Sequence, residues 1–346
     1  MDCSDATALR SLPLLTLYLT ERCNSRCVSC DYWRHGRQDL SLDAVDHLLP
    51  GLDSLGTRVV LISGGEPLLH PQWPLIAKRL RGQQRALWLL SSGLSLAKHA
   101  EQVCEHFEAV TVSLDGSCAE TYAAIRGVDA FDAVCAGIRA VAARGVPVTV
   151  RVTVQRANYR EMARFVGLAR DCGAQSLSFL AADVGNPHAF GRQLTGGLAS
   201  DIALRPEDLP VLEAILDRME VEQAADFRSG FIAERPPKLR RIAAYYAALC
   251  GLGEFPPVHC NAPAFSAVVE AGGSIRPCFF IPGPGVQAAA DLPQALNDSP
   301  LRALRTDIAA GRRPECARCV CSMWRDPQAE FGSAGHLAPE PAAEPR

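Results

Sequence analysis

Between Leu14 and Ala182 the chain repeats one unit, a short apolar run followed by a stretch with helical periodicity. The runs are Leu14–Thr20, Arg58–Ile62, Arg85–Leu90, Ala109–Leu114, Val148–Val154 and Gln175–Leu180. They have the length and the β-branched content of strands buried in a parallel sheet. Ser41 caps a helix through Val45, Leu48 and Leu49, with Asp43 in its first turn. Further helices are predicted over Pro74–Arg81, Ser95–Phe107, Cys118–Ile125, Phe131–Arg144 and Arg160–Asp171. Strand-helix alternation of this kind gives an α/β fold with a parallel sheet covered by helices. Right-handed crossovers then leave a barrel or an open sheet.

Parallel α/β folds build their sites at the carboxyl ends of the strands. In this sequence Cys23–Cys30 follows the first run and Gly64-Gly65-Glu66-Pro67 the second. Ser91-Ser92-Gly93 follows the third, Ser113–Gly116 closes the fourth, and Arg151 lies in the fifth. Gly64-Gly65 alone would read as a tight turn. Polar or glycine-rich groups at five successive strands are not needed for folding and point to a site.

The most specific of these groups is Cys23-Asn-Ser-Arg-Cys27-Val-Ser-Cys30, spaced Cys-x3-Cys-x2-Cys. Three thiolates can hold three irons of a [4Fe–4S] cluster and leave the fourth iron without a protein ligand. Such clusters are normally closed by four cysteines, so an open corner suggests a substrate or cofactor site. The plainer readings are three buried thiols, or a zinc site. Zinc takes four ligands, and the nearby candidate for the fourth is His35.

Composition narrows the partners. The net charge is −3, the pI is near 6.3, and no basic block occurs, which argues against nucleic acid. No apolar run reaches the ~20 residues that span a bilayer, and no signal-peptide pattern opens the chain. A cytoplasmic protein without membrane contact is expected. In that compartment 14 cysteines read as metal ligands and thiols rather than disulfides. The length suggests about two domains, and 48% hydrophobic residues supply a sizeable core.

The cysteine loop and the Gly-Gly-Glu-Pro element together resemble the radical S-adenosylmethionine (radical SAM) family, over about Leu14–Ala182. The resemblance implies a partial (β/α)6 TIM-like barrel over residues 14–190, with 1–13 as a lead-in. It also implies that the open iron is chelated by the amino and carboxylate groups of SAM. One electron from the cluster then breaks the sulfonium bond and releases a 5′-deoxyadenosyl radical, chemistry that belongs to the cofactor. By the same resemblance Gly64, Gly65, Glu66 and Pro67 serve the SAM amino group. The glycines allow close backbone approach, and the Glu66 carboxylate would reach the ammonium. Ser92, Ser113 and Asp115 match positions near the ribose and methionine end. Arg151 matches the group that pairs with the SAM carboxylate, for which an arginine fork is suited; its plainer reading is a surface ion pair. At Ser29 the sequence departs from the family, which has an aromatic residue by the adenine there. Tyr32 or Trp33 is the expected replacement.

Residues 191–257 read as a helical connection, with helices over Glu207–Glu222 and Pro237–Cys250. Leu212, Ile215, Leu216 and Met219 form a core stripe. The Asp183–Arg192 loop after the sixth strand reads equally as a substrate contact or an ordinary loop. From Cys260 twelve residues lead to Gly273, and four more to Cys278. This resembles the opening of the SPASM and shorter Twitch domains that carry auxiliary clusters. Val268–Glu270 and Ser274–Pro277 read as a hairpin that brings Cys260 and Cys278 together. Cys316 and Cys319 would complete one auxiliary [4Fe–4S] cluster in residues 258–325, with Cys321 as a substitute for Cys319 or a spare thiol. Five cysteines rather than seven favour one such cluster, and zinc bound by four thiolates is the competing reading. Cys3, Cys104, Cys118, Cys135, Cys172 and Cys250 read as small apolar residues. The Ala/Pro/Glu-rich residues 326–346 read as a disordered tail.

The functional expectation is a radical SAM enzyme that abstracts hydrogen from a small-molecule or peptide substrate, with flavodoxin or ferredoxin as electron donor. The auxiliary cluster would accept an electron or ligate the substrate. The short lead-in, without room for a leader-peptide-binding domain, tilts the expectation toward a small molecule. The alternative from another class is a non-catalytic iron–sulfur or zinc scaffold, against which the Gly-Gly-Glu-Pro element speaks.

Overall fold

The computed structural model describes residues 8–34, 36–82, 85–190, 199–288 and 291–326. Cys3, His35, Arg192 and most of the proposed tail lie outside the described residues. Six strands follow in chain order: β1 Leu14–Thr20, β2 Val59–Gly64, β3 Ala86–Ser91, β4 Ala109–Ser113, β5 Val148–Val154 and β6 Ser176–Ala181. Each pairs in parallel with the next, so spatial order equals sequence order. This is the array of an open, partial (β/α)6 barrel. The covering helices are α1 Leu42–Ser54, α2 Trp73–Arg81, α3 Leu96–His106, α4 Ala119–Arg126, α5 Phe131–Ala142 and α6 Met162–Asp171. The Ser41 hydroxyl caps α1 by accepting from the Ala44 amide at 3.1 Å.

Beyond β6 come α7 Ala199–Ile202, α8 Leu209–Glu222, α9 Ala224–Ser229 and α10 Pro236–Leu249. Leu212, Leu216 and Met219 of the α8 stripe are buried in the main core, and Ile215 packs against it half-buried. The predicted hairpin is present as β7 Ser266–Val269 and β8 Ile275–Arg276, paired antiparallel. Gly273 sits in its turn at φ +83°, a conformation that favours glycine. The last helices are α11 Leu292–Leu296, α12 Ser299–Ala309 and α13 Pro314–Ala317.

The C-terminal segment is built onto the sheet rather than hung beside it. β7 pairs in parallel with β1, from Leu14↔Ser266 to Leu17↔Val269, and lengthens the sheet to eight strands. Leu292 of α11 packs on α1 so closely that a Cβ at Gly51 would lie 2.6 Å from it. Asn297 holds the lead-in, accepting from the Leu9 amide at 2.7 Å and donating to the Leu9 carbonyl at 3.0 Å.

Alternation along the strands separates two faces. In β5, Val148, Val150, Val152 and Val154 are buried under the helices, while Thr149, Arg151 and Thr153 point the other way. The register sets Ser113, Arg151 and Ser178 side by side on that inner face. At the opposite, amino-terminal end the inner face is sealed by Leu14, Val59, Trp88, Ala262 and Phe265, with Cys260 and Met323 against them. Above this seal the inner face carries the polar side chains of β4, β5 and β6.

Candidate active site

The cysteine loop leaves β1 at Thr20 and is closed at its base. Thr20 Oγ1 donates to Asp39 Oδ1 at 2.6 Å, Arg22 pairs with Asp39, and the Leu40 amide donates to the Leu19 carbonyl at 2.8 Å. The turn after β2 is sewn to the same loop. The Gly65 amide donates to the Thr20 carbonyl at 2.8 Å and the Glu66 amide to the Arg22 carbonyl at 2.7 Å. A Cβ at Gly65 would lie 2.1 Å from the Arg22 carbonyl oxygen, so only glycine permits this approach. On its far side the loop rests on α4: the Arg26 amide donates to the Arg126 carbonyl at 2.8 Å and the Val28 amide to the Ile125 carbonyl at 3.0 Å. Asn24 reaches β3, accepting from Ser92 Oγ at 3.0 Å.

Cys23, Cys27 and Cys30 are half-buried and unpaired by disulfides. Burial pushes the Cys23 thiol up to about 11 and the Cys30 thiol to about 12, and Cys27 is raised by the same cause. Arg126 counteracts this at all three. Among the described residues no three Cys, His, Asp or Glu side chains are gathered tightly enough to ligate one metal ion. A cubane asks for a looser set, because each of its irons takes its own thiolate. Buried donors around the loop fit such a group. Ser25 Oγ, Trp33 Nε1 and Arg126 Nε have no hydrogen-bond partner among the described residues. Cluster sulfur is an acceptor, and a buried donor left unpaired costs about 1–3 kcal/mol.

The predicted SAM residues divide into two sets. Glu66 is fully buried, and its carboxylate accepts from the Leu68 amide at 3.1 Å and the Ser92 amide at 2.6 Å. It also takes the Ser91 hydroxyl, at 3.0 and 3.1 Å to its two oxygens. The side chain therefore clamps the turn over Pro67–Leu69 to the end of β3, while Gly64 and Gly65 before it stay half-buried. Asp115 is likewise engaged. It accepts from Arg126 Nη1 at 3.0 Å and from the Thr153 amide at 2.7 Å. Arg151 differs: it is exposed on the inner face and makes no ion pair among the described residues. Ser113 is half-buried beside it.

Of the two aromatic candidates, Tyr32 packs edge-on against Tyr18 with centroids 5.8 Å apart. Burial pushes its hydroxyl up to about 12. Trp33 instead lines a cavity of about 640 Å³ with Cys23, Asn24, Arg26, Gly127 and Asp129. That volume lies within the range of small-molecule sites.

Residues 17–169 match the sequence profile of the Radical SAM superfamily. The chain carries a radical SAM domain. Its relatives include GTP 3',8-cyclase 1 of Mycobacterium tuberculosis, 34% identical over 185 residues, or 49% of this chain and 52% of that protein. Pre-heme d1 synthase of Dinoroseobacter shibae is 32% identical over 169 residues, or 46% and 41% of the two chains. The chain spans about half the length of the curated relatives it matches. Among solved structures, Streptococcus suis SuiB bound to S-adenosylmethionine superposes with a TM-score of 0.64 at 15% identity, covering 91% of this chain and 73% of SuiB. Native anSMEcpe with bound AdoMet and Cp18Cys peptide gives 0.63 at 17% identity, covering 90% and 88%. These two likenesses establish the fold.

Outside the radical SAM domain, Cys260, Cys278, Cys316, Cys319 and Cys321 are also half-buried and free. They are close enough to sense one another's charge: Cys278 responds to Cys260 and Cys316, and both Cys319 and Cys321 respond to Cys260 and Cys278. Burial pushes Cys278 and Cys321 up to about 11. The last segment is strapped beside Cys260. The Asn261 amide donates to the Met323 carbonyl at 3.1 Å, Asn261 Nδ2 to the Arg325 carbonyl at 2.7 Å, and the Arg325 amide to Asn261 Oδ1 at 2.9 Å. Cys319 Sγ donates to the Cys321 carbonyl at 3.1 Å. Cys260 packs against the apolar cluster that closes the inner face, and Cys321 lies within electrostatic reach of Arg151 on that face.

A buried arginine joins the two regions. Arg276 of β8 is 5% exposed. It donates to the carbonyls of Ile281 at 3.0 Å, His188 at 2.8 Å and Phe279 at 3.0 Å, and pairs with Glu270 at 3.1 Å. The loop after β6 is thereby fastened to the segment that bears Cys278, and Asn186 Nδ2 adds a bond to the Phe280 carbonyl at 2.7 Å. Arg276, Arg126 and Asn24 were not singled out from sequence. Arg126 carried one usable signal, a basic last-turn residue directly before the helix-ending Gly127.

Proposed function

We propose that this protein is a radical SAM enzyme in which Cys23, Cys27 and Cys30 hold a [4Fe–4S] cluster and SAM occupies its open corner. With both groups bound, the chemistry supplied is one-electron cleavage of the sulfonium to a 5′-deoxyadenosyl radical. The observation that carries this reading is the sewing of the three-cysteine loop to the Gly64-Gly65 backbone at the carboxyl edge of the sheet.

In this reading the glycine carbonyls receive the SAM amino group, Arg151 pairs with its carboxylate, and Ser92 and Ser113 lie toward the ribose. Trp33 is the better placed aromatic face for the adenine. Glu66 and Asp115 act by holding their loops. The substrate, a small molecule or a peptide, enters the polar inner face and loses a hydrogen atom from a C–H bond. SuiB has been seen bound to precursor peptide SuiA, and the curated relatives carry names of small-molecule cyclases and synthases. Cys260, Cys278, Cys316 and either Cys319 or Cys321 would hold an auxiliary [4Fe–4S] cluster that takes the substrate's electron or ligates the substrate. A flavodoxin- or ferredoxin-type donor would reduce the first cluster.

The test is anaerobic reconstitution with iron and sulfide, followed by dithionite and SAM. Formation of 5′-deoxyadenosine is expected, with deuterium entering it from a labelled substrate. An iron-loaded chain that yields none would instead be a non-catalytic iron–sulfur protein.

A further inference from the structure

A buried cation, Arg126, stands at the helix end on which the three-cysteine loop rests. This residue ends α4 and is 9% exposed. Its carbonyl holds the Arg26 amide at 2.8 Å, one residue before Cys27. Gly127 follows at φ +68°, and a Cβ there would meet the Arg26 carbonyl at 2.5 Å. Loop and helix end are therefore locked together. The guanidinium is held from behind by Asp115 at 3.0 Å, and Asp115 is itself held by the Thr153 amide. Cys27 and Asp115 both lie within electrostatic reach of the Arg126 cation, and its Nε is left without a hydrogen-bond partner among the described residues. One side of the guanidinium is thus left unpaired beside the loop that carries the thiols.

We propose that Arg126 is a positioning residue that eases reduction of the cluster on Cys23, Cys27 and Cys30; this rests on the function proposed above. An electron from the donor adds one negative charge to a cluster already made negative by three thiolates, and no bond or proton changes at that step. Charge, hydrogen bonding and exposure set iron–sulfur potentials. A buried cation is weakly screened, so it favours the more negative, reduced form. Asp115 opposes it, which gives the two residues effects of opposite sign.

The test is a redox titration of the anaerobically reconstituted full chain, followed by electron paramagnetic resonance of the signal that SAM perturbs. Arg126→Gln is expected to move the midpoint to more negative potential, Arg126→Lys to leave it near wild type, and Asp115→Asn to move it the other way. An iron-loaded Arg126→Gln with an unchanged midpoint overturns the proposal, as does a shift of Gln and Asn variants in one direction, the mark of mere loosening. If Arg126→Gln loses its cluster, Asp115→Asn decides: no positive shift overturns the proposal. A wild-type chain that takes up zinc and no iron brings down the proposed function itself.

Discussion

Glu66→Gln is the sharpest probe of how the site is held. The wild-type carboxylate is fully buried and accepts from two backbone amides and one hydroxyl. A carboxamide has the same shape and one acceptor oxygen. Whichever way it turns, its NH₂ group faces an amide donor, either Leu68 N–H or Ser92 N–H. Ser91 can adapt by rotating its hydroxyl, although its oxygen already accepts from the Gly93 amide at 2.9 Å. The net loss is one hydrogen bond to a charged group plus one buried amide left unpaired. The first is about 1.5–3 kcal/mol and the second about 1–3 kcal/mol, with overlap between them, so a cost of about 2–4 kcal/mol is expected. Ser91→Ala should cost about 1.5–3 kcal/mol, because it removes a hydrogen bond to the same charged group and takes the acceptor from the Gly93 amide. Thermal unfolding followed by circular dichroism, under anaerobic conditions, reads both. A Glu66→Gln protein as stable as wild type would show that the clamp is not what holds the turn. SAM affinity should fall in the same variant, since the glycine backbone rides on the clamp.

In Gly65→Ala the new Cβ meets a backbone oxygen at 2.1 Å, so the turn and the cysteine loop must part; helix content should persist while the first cluster is lost from the iron analysis. Wild type should carry about eight irons per chain and Cys278→Ala about four. Cys27→Ala should abolish SAM cleavage, whereas Cys278→Ala retains part of it. His70 gives a pH prediction. Its Nε2–H donates to the Leu40 carbonyl at 3.0 Å while Nδ1 accepts from the Gln72 amide at 3.1 Å, which requires the neutral ring. Burial holds its pKa below the ordinary 6.5, against smaller raising effects from Leu40 and Asp39. The unfolded chain therefore binds the proton first as pH falls. The stability is fully present above about pH 6.5 and declines below it. His70→Gln should flatten the fall in melting temperature between neutral and mildly acidic pH, leaving the share due to His106, also lowered by burial.

Much of the scaffold was legible because its signals are local. Leu14–Thr20 forms the predicted strand to the residue, and α4 and α10 each lie one residue from their predicted bounds. Helical and strand periods depend on neighbours a few positions away. The spacing of Cys23, Cys27 and Cys30 is equally local, as is the glycine pair before Glu66. The β7–β8 hairpin could be read from the turn glycines between its strands.

What the sequence alone determined is therefore the alternation of strands and helices, the loops that carry chemistry, and the family they resemble. Only the tertiary structure decided what the polar groups do. Glu66 meets partners 25 and 26 residues away, and Asp115 meets Thr153 across 38. Nothing in a linear pattern distinguishes a carboxylate facing a ligand from one filled by backbone amides. The parallel pairing of β7 with β1 joins strands about 250 residues apart. Such pairing leaves no turn signature, because the chain between the strands sets neither partner nor register. Arg126 gains its place beside the thiols in the same way, through a helix end and a loop that meet only when the sheet has formed.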